Sequence, residues 1–346
     1  MSSSTQSLAV QDTPNLAMRL RELTCGYWIS QCIAAAARLG IADLLQSGSK
    51  SVAELATLTG TQARPLYRLL RALASFGIFA EVREGHFSLT PMAALLASSP
   101  QSLRGWAILT GQEDWHRAWD ALLDSLRTGE PAFKHVFGTS YWDYLSGNPA
   151  AAAIFNDGLT AYTAQVGEAV VGAYNFAPFR KLVDVGAGHG TLMSAILTAT
   201  PHLDGIVFDL SHAAEGARRT LEAAGLTARC QVMTGDFFDA VPEGGDAYLL
   251  SHVIHDWSDE RALAILRNCH RVMRPQSRLL LVEAVIPPGN EPFFGKLLDV
   301  HMLVVTDQGT DRTEAEYRSL LDAAGFEVLR VIPTASDVSI MESAPV

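Results

Sequence analysis

A glycine-rich run between residues 182 and 191 constrains the fold more than any other part of this chain. The run reads LVDVGAGHGT: an apolar strand reaches Asp184 and is followed by Gly186, Gly188 and Gly190 at alternate positions. Glycine lets the backbone turn sharply into a helix and lets a ligand approach it closely. The run therefore predicts the first strand–turn–helix unit of a nucleotide-binding α/β domain.

The spacing of these glycines distinguishes between nucleoside cofactors. Dinucleotide sites favour G-x-G-x-x-G, whereas here the third glycine comes one residue early and Thr191 takes the place of the last glycine. The form D-x-G-x-G-x-G resembles motif I of S-adenosylmethionine-dependent methyltransferases. A second apolar strand, residues 205–208, ends in Asp209, where nucleotide-binding sheets hold the ribose hydroxyls. A glycine-rich turn without a ligand is the alternative, and the placement of Asp209 weakens it.

Composition and charge limit the class of protein. The 346 residues suffice for two domains, and a hydrophobic share of 48% with 18% charged residues is a normal globular composition. The formal net charge of −11 disfavours a protein that binds nucleic acid by neutralising phosphates. We expect no membrane partner and a cytoplasmic location, because no uncharged apolar run reaches about 18 residues and the polar N-terminus lacks a signal-peptide pattern. The four cysteines lack C-x-x-C pairing and are expected to be reduced: Cys25, Cys32, Cys230 and Cys269.

The chain changes character near residue 178, from helical patterns to alternating strands and helices. We predict a helical, winged-helix dimerisation domain over residues 1–100 and a helical linker over residues 101–177 that contributes to the substrate pocket. Residues 178–346 are predicted to form the cofactor-binding catalytic domain. Within the linker, residues 102–127 and 148–173 are each predicted to form one long helix.

The N-terminal region has two features of interest. A nearly all-apolar helix over residues 27–39 is too hydrophobic to be exposed on any face, which indicates burial against another subunit. Residues 51–96 then give two helices and two short strands near 78–82 and 86–89, a pattern typical of a winged helix. The acidic net charge favours a dimerisation module. Three arginines on the second helix keep a ligand-responsive DNA-binding regulator as the alternative: Arg64, Arg68 and Arg71.

From residue 181 onward the alternation predicts a doubly wound α/β fold, with a mostly parallel sheet covered by helices on both faces. Seven strands are predicted, over residues 181–185, 205–208, 229–234, 247–251, 278–283, 326–332 and 336–341. The last two are joined by a short turn and must be antiparallel. Helices are predicted over residues 190–199, 211–224, 259–272, 294–305 and 313–324.

Acidic residues follow three of these strands. Asp184, Asp209 and Asp236 stand at strand ends, and ligands of open α/β sheets bind outside the carboxyl ends of the strands. Asp236 is followed by Phe237, and this pair is suited to hydrogen-bonding and stacking an adenine ring. An ordinary turn with a core phenylalanine is the alternative for that pair.

A histidine follows the fourth strand of this domain, in the run LLSHVIHDWSDERA. Glu283 and Asp311 come later, and either could orient the imidazole of His255 and stabilise its protonated form, as in a general base. The spacing His252-x-x-His255-Asp256 leaves a metal site as the alternative, which the absence of a nearby third histidine or cysteine disfavours. Ser258 or Asp259 is expected to cap the next helix.

Six runs in this order resemble the caffeate/hydroxyindole type of small-molecule O-methyltransferases: LVDVGAGHG, VFDL, GDFF, HVIHDWSDE, VEAVIP and GTDRTEAEY. The resemblance is strongest over residues 180–342. It implies a class I methyltransferase fold whose last strand is antiparallel, S-adenosylmethionine as the methyl donor and S-adenosylhomocysteine as the product. It also implies an aromatic small-molecule acceptor and a homodimer formed through the N-terminal domain.

The resemblance also implies roles for individual residues, with His255 as the catalytic base beside Glu283 and Asp311 and with no metal. The expected cofactor contacts are Asp184, Gly186, Gly188, Asp209, Leu210, Asp236, Phe237 and Ser251. The acceptor is expected against Phe155, Leu159, Tyr162, Asp256, Met302 and Thr306. Plant members usually have Glu at the position of Asp311 and often Lys at that of Ser251. Members that methylate nitrogen, or that no longer methylate, remain alternatives.

Overall fold

The computed structural model describes residues 13–99 and 102–346, so the N-terminal pattern considered above lies largely outside the described residues. The chain forms two compact units, Met1–Gly111 and Gln112–Val346. Within the described ranges, no helix combines the length and the apolar character needed to cross a membrane. The three-domain division stays a prediction. The first unit contains α1 (Thr13–Thr24), α2 (Gly26–Arg38), α3 (Ile41–Leu45), β1 (Lys50–Ser51), α4 (Val52–Thr59), α5 (Ala63–Ser75), β2 (Phe79–Arg83), β3 (His86–Leu89), α6 (Pro91–Ala94) and α7 (Arg104–Thr110).

The first unit contains the two helices and two strands predicted for a winged helix, in the predicted order. The Ser51 hydroxyl accepts a hydrogen bond from the Glu54 N–H while the Glu54 carboxylate accepts one from the Ser51 N–H, and this capping box fixes the start of α4. Helix α5 buries one apolar face into the core of the unit. Strand β1 was not predicted; it pairs with β3, which also pairs with β2, in an antiparallel sheet.

The second unit begins with five helices and continues as an α/β domain. Its helices are α8 (Glu113–Asp120), α9 (Leu122–Thr128), α10 (Ala132–Phe137), α11 (Tyr141–Gly147), α12 (Pro149–Ala173), α13 (Thr191–Ala199), α14 (Ser211–Ala223), α15 (Asp259–Val272), α16 (Gly295–Val305) and α17 (Glu314–Ala323). Its strands are β4 (Lys181–Val185), β5 (Asp204–Asp209), β6 (Cys230–Thr234), β7 (Ala247–Ser251), β8 (Arg278–Glu283), β9 (Val285–Ile286), β10 (Arg312–Thr313), β11 (Phe326–Pro333) and β12 (Ser339–Pro345).

The single helix predicted over residues 102–127 is wrong, because the chain forms three short helices there, α7, α8 and α9. A Cβ at Gly111 would lie only 2.3 Å from the Cβ of Ala34, so this glycine allows close packing where α7 ends. Gln112 then adopts extended backbone before α8. The long helix predicted over residues 148–173 is confirmed as α12, whose first turn is capped by the Asn148 side chain.

The sheet of the second unit confirms the predicted α/β class. Its seven strands lie in the order β11-β12-β8-β7-β4-β5-β6. All neighbours from β8 to β6 are parallel, and β12 runs antiparallel to both β8 and β11. Strands β5 and β7 flank β4 on opposite sides. The chain therefore builds β5 and β6 on one side of β4 and then crosses over to build β7 and β8 on the other side. The carboxyl ends of β4 and β7 therefore border the crevice in which ligands of such sheets bind.

Both faces of this sheet are buried, as a doubly wound fold requires. Leu182 packs into a core with α12, α13 and α14, whereas Val183, its neighbour, packs into a core with α15 and α17. A small parallel pair, β9 with β10, was not predicted. It pairs Val285 with Arg312 and so brings the segment before β10 to the carboxyl end of β8.

Candidate active site

The glycine loop after β4 is tightly packed at Gly186 and open at Gly188. Gly186 has a φ of 74° and donates its N–H to the Phe208 carbonyl at 2.9 Å. A Cβ at this position would lie 2.7 Å from Cγ2 of Val253, which follows β7. Gly188 has a φ of 54°, and nothing lies within 4 Å of a Cβ there. The loop thus leaves its outer side free for a ligand.

This geometry predicts different consequences for two matched substitutions. Gly188→Ala meets only the strain of left-handed backbone, about 1–2 kcal/mol, and places a methyl group in the open space above the loop. Gly186→Ala adds a clash with Val253, so we expect a total loss of about 2–4 kcal/mol in the free energy of unfolding. Denaturant unfolding of both variants measures the difference. An equal loss in the two variants would contradict the packing assigned to Gly186.

Two carboxylates flank the loop. Asp184 lies on β4 and is 2% exposed, and its carboxylate receives no hydrogen bond from the residues that the structure describes. Burial and the nearby Asp209 raise the pKa of Asp184 to about 8. Asp209, at the end of β5, accepts hydrogen bonds from the N–H of Gly188 at 2.7 Å and of Leu210 at 2.6 Å. Burial also raises the pKa of Asp209.

Asp236 and Phe237, the two residues predicted to contact the adenine ring, adjoin the same loop. Cε1 of Phe237 would lie 3.5 Å from a Cβ at Gly186, so the two residues are close neighbours. Asp236 is exposed and accepts the Phe238 N–H at 2.8 Å. The other two candidates differ: Leu210 has an exposed side chain, whereas the Ser251 hydroxyl lies 3.2 Å from Nδ1 of His252.

These residues fit S-adenosylmethionine. A buried carboxylate without a donor, Asp184, suits a cation, and the cofactor carries an ammonium and a sulfonium. Asp209 stands at the strand end where a ribose diol is held in such sheets. Phe237 offers a ring face beside the open loop. The fit rests on the unpartnered Asp184 carboxylate and on the open side of Gly188.

His255 lies in a short 3-10 turn just after β7 and is buried. Its Nδ1 lies 3.1 Å from Oδ1 of Asp311 and 3.9 Å from Oε2 of Glu283. Its Nε2 lies 3.7 Å from Oδ1 of Asp256. Of the two acids that the sequence offered as partners, Asp311 is the one within hydrogen-bond distance of the imidazole.

The turn that carries His255 is held from two sides. Glu283, at the end of β8, accepts the backbone N–H of Val253 and of Ile254 through Oε1. Arg312 on β10 donates to the carbonyls of Ile254 and Trp257 and to the Asp259 carboxylate at 2.7 Å. Sequence reasoning missed Arg312, whose role depends on the β9–β10 pairing.

The expectation that Ser258 or Asp259 caps α15 is confirmed for the position of Ser258 and wrong for a side-chain cap. Ser258 is the residue at the helix start, but its side chain makes no capping hydrogen bond. The Asp259 carboxylate instead pairs with the buried guanidinium of Arg312. Asp259 forms this ion pair because the buried guanidinium of Arg312, a cation, needs a carboxylate partner.

Charges around His255 favour its protonated form. Burial lowers the pKa of His255, but Glu283, Asp256 and Asp311 outweigh burial and raise it to about 10. Burial raises the pKa of Glu283 to about 7 and that of Asp256 to about 6. The imidazole is therefore a stronger base than a free histidine.

The same cluster has ligand spacing for a metal ion. Atoms of His255, Glu283 and Asp311 all lie within 4.8 Å of one another. Oε2 of Glu283 and Oδ2 of Asp311 are fully buried without a hydrogen-bond partner among the described residues. The metal alternative thus falls on these three groups and not on the His252 pattern. His252 instead has a φ of 53°, a rare conformation for a non-glycine residue that the sequence did not reveal.

Aromatic rings form two groups in this unit: the aromatic wall, made of Phe155, Tyr141 and Trp115, and the pair of Tyr162 with His252. The ring centroids of Phe155 and Tyr141 are 5.5 Å apart, and Nε1 of Trp115 donates to the Tyr141 hydroxyl at 2.9 Å. Tyr162 donates to Asp337 at 2.9 Å, and its ring lies 5.1 Å from that of His252.

The positions of the other three residues predicted to contact the acceptor do not by themselves indicate a binding role. Leu159 is half-buried on α12. Met302 packs with Ala284 and Leu298. The Thr306 hydroxyl already donates to the Met302 carbonyl and accepts the Gly309 N–H. Contact of these side chains with an acceptor stays a prediction.

The glycine loop and the histidine turn meet at one edge of the sheet. Strands β4 and β7 are adjacent and parallel, and Val253, two residues before His255, packs against Gly186. The three aspartates of the strand ends and the imidazole therefore lie around one crevice. This arrangement suits transfer of a group from a bound nucleoside to an acceptor beside His255.

Comparison with known proteins identifies the family. Residues 119–327 match an O-methyltransferase domain, and residues 21–99 match an O-methyltransferase dimerisation domain. A phenazine O-methyltransferase of Lysobacter antibioticus is 48% identical, with 94% of this chain and 96% of that protein covered. An 8-amino-8-demethylriboflavin N,N-dimethyltransferase of Streptomyces davaonensis is 34% identical, with 94% of each covered.

A solved structure adds the ligands of a relative. The O-methyltransferase of neocarzinostatin biosynthesis, in complex with S-adenosylmethionine and 2-hydroxy-5-methyl naphthoic acid, is 34% identical, with a TM-score of 0.74 over 92% of this chain and 96% of that one. The chain shares the fold of the solved relative and matches both family domains. It belongs to the S-adenosylmethionine-dependent methyltransferases of aromatic natural products.

Proposed function

We propose that this protein transfers the methyl group of S-adenosylmethionine to a hydroxyl of an aromatic small molecule, with His255 as the general base. The observation that carries the proposal is the buried His255–Asp311 hydrogen bond of 3.1 Å at the sheet edge that also holds the glycine loop. The aromatic wall that contains Phe155 and Tyr141 suits a flat acceptor.

The hydrogen bond to Asp311 sets the role of each imidazole nitrogen. An ionised carboxylate only accepts, so in the neutral form of His255 the hydrogen is on Nδ1, and Nε2 has the lone pair that takes the hydroxyl proton. A phenol titrates near 10 and a free histidine near 6.5, a mismatch of roughly 5 kcal/mol. With the pKa of His255 raised to about 10, proton transfer from a phenol to the neutral imidazole is nearly isoenergetic, and the share of protein that carries this neutral form grows as the pH rises toward 10.

The cofactor supplies an activated methyl group, and the residues of this chain supply alignment and proton removal. Asp184, Asp209 and Phe237 would hold the nucleoside and its amino-acid end at the glycine loop. The acceptor lies between the aromatic wall and His255, with its oxygen near Nε2. Glu283 and Asp311 stabilise the imidazolium that forms when the proton moves.

We propose oxygen and not nitrogen as the methylated atom because of the hydrogen-bonded pair of His255 and Asp311. Relatives of this chain carry names of both O- and N-methyltransferases. A heteroaromatic nitrogen with a free lone pair needs no base, whereas a phenol must lose a proton. A buried imidazole whose tautomer is fixed by a carboxylate matches the second requirement.

A methylation assay tests this function. The protein is incubated with methyl-labelled S-adenosylmethionine and matched pairs of fused-ring acceptors that offer either a hydroxyl or a ring nitrogen. We expect label on oxygen, and chelation with EDTA should leave turnover unchanged. Label on nitrogen alone would contradict the assignment to oxygen, and loss of turnover with EDTA would favour a metal at His255.

We also propose that the protein acts as a homodimer through its dimerisation domain. Large apolar side chains of α1 and α2 are exposed in the single chain, including Trp28 at 63% and Leu20 at 64%. A monomer would leave this surface in water. Light scattering should therefore give twice the chain mass of 37.3 kDa.

Cofactor binding should release a proton from Asp184. In the free protein its pKa is about 8, so the carboxyl is largely protonated at neutral pH. Pairing with a cationic ligand favours the ionised form and lowers the pKa, so affinity should rise with pH until about 8. Calorimetry at pH 7 in two buffers of different ionisation enthalpy measures the proton released. Asp184→Asn should abolish the release; a wild-type protein that releases none would contradict the pairing.

A further inference from the structure

A histidine outside the catalytic cluster has one ring nitrogen fixed as an acceptor. His301 lies on α16 and is half-buried. Nε1 of Trp119 donates to its Nδ1 at 3.0 Å, and the centroid of the Trp115 ring lies 4.3 Å from that of the imidazole. Neither tryptophan takes part in the reaction derived above.

The hydrogen bond from Trp119 determines the tautomer of His301. An indole N–H is a donor only, so Nδ1 must present a lone pair and the ring hydrogen must be on Nε2. This N–H has no hydrogen-bond partner among the described residues. Nε2 of His301 is not among the fully buried, unpartnered atoms of the described residues, so it keeps some exposure to solvent.

His301 is connected through ring contacts to the aromatic wall, beside which we place the acceptor. Its ring contact with Trp115 continues through the Trp115–Tyr141 hydrogen bond to the Tyr141–Phe155 contact, so it extends the aromatic wall. Burial and the charge of His255 lower the pKa of His301 to about 4. His301 is therefore neutral at pH 7, in agreement with the hydrogen bond from Trp119.

We infer that the Nε2–H of His301 donates a hydrogen bond to a second polar atom of the acceptor, a ring nitrogen or a carbonyl oxygen, and so selects aromatic hydroxyl compounds that carry one. The inference rests on the proposed function and deepens it by naming the acceptor class. His301 is a specificity-determining residue that touches substrate, and Trp119 is a positioning residue that acts through it.

The selectivity follows from the cost of an unpaired donor. An acceptor with C–H in place of the ring nitrogen displaces water from Nε2–H without replacing the hydrogen bond. A neutral hydrogen bond of this kind contributes roughly a 10-fold preference. A protonated His301 would prefer anions, but Trp119 prevents protonation at Nδ1 and so keeps the site suited to neutral acceptor atoms.

The test compares two compounds of the same three-ring outline, 1-hydroxyphenazine and 1-hydroxyanthracene. Their kcat/KM values and their dissociation constants with the S-adenosylhomocysteine complex are measured for the wild type and for His301→Leu, His301→Gln and Trp119→Phe. Their different acidity affects the ratio between the compounds equally in every protein, so it cancels when the ratio of a variant is compared with that of the wild type. The exposed His135→Leu serves as the control for loss of a histidine.

We expect the wild type to prefer the phenazine about 10-fold. His301→Leu should remove that preference, and His301→Gln should retain most of it because the Gln amide can still accept from Trp119 and donate to the ligand. Trp119→Phe should reduce the preference less than His301→Leu does. If His301→Leu fails to bind cofactor and is therefore misfolded, His301→Gln and Trp119→Phe still decide the question.

Any of three outcomes overturns the inference. Either the wild-type complex binds the two compounds equally, or the preference survives in His301→Leu or is unaffected by Trp119→Phe. Failure of the proposed function looks different, since the phenazine would then bind selectively through His301 without being methylated on oxygen.

Discussion

His255→Ala is expected to lower kcat about 1,000-fold with little change in cofactor affinity. Proton removal by a positioned side chain contributes roughly 10²–10⁴-fold to catalysis. In this chain the imidazole is the group that Asp311 orients and that the charges of Glu283 and Asp256 make more basic. Cofactor affinity should persist because the glycine loop and Asp209 hold the nucleoside without His255. Steady-state kinetics and calorimetry measure the two quantities.

The matched control is His135→Ala, which removes an exposed histidine. Turnover of His255→Ala within a few-fold of the wild type would show that positioning alone suffices. The rate with a simple phenol adds a pH signature. Because the pKa of His255 is about 10, kcat/KM should rise with pH through the neutral range and not level off near 6.5.

Asp311→Asn should move this rise in rate to lower pH. A neutral amide no longer stabilises the imidazolium, so the pKa of His255 falls and the imidazole loses its proton at lower pH. The maximal rate should fall as well, because the base is weaker and its tautomer less strictly fixed. A pH profile of Asp311→Asn that coincides with the wild type would contradict the contact assigned to Asp311.

The α/β sheet could be predicted because its signals are local. Apolar runs of five or six residues alternate with amphipathic helices, and parallel strands place their carboxyl ends at one edge. That rule places Asp184, Asp209 and His255 together from the sequence alone. Which of the two acids lies within hydrogen-bond distance of His255 could not be predicted, because it depends on the two-residue pairing of β9 with β10.

Other features depend on contacts between residues distant in sequence. Arg312 is one charged residue among 26 lysines and arginines, and nothing local distinguishes its buried contacts with the histidine turn. The pairing of Trp119 with His301 spans 182 positions. The break at Gly111 was visible as a glycine, but only the close approach to Ala34 shows why the helix ends there.

Asp209→Ala is expected to weaken S-adenosylmethionine binding about 100-fold. A ribose diol bound to this carboxylate makes charge-assisted hydrogen bonds, and the loss of two of them amounts to about 3 kcal/mol. The structure adds a second reason, because Asp209 accepts the N–H groups of Gly188 and Leu210 and thereby holds the loop in its open-sided conformation.

Asp209→Asn separates the two contributions. The amide oxygen can still accept the Gly188 N–H, so the loop keeps one of its supports, but the charge that strengthens the bonds to the diol is lost. If the ribose contact dominates, Asp209→Asn should bind the cofactor nearly as weakly as Asp209→Ala while unfolding at a higher denaturant concentration. If loop support dominates, affinity and stability should recover together. Calorimetry and denaturant unfolding of both variants decide between these cases, and unchanged affinity in Asp209→Ala would remove the ribose assignment.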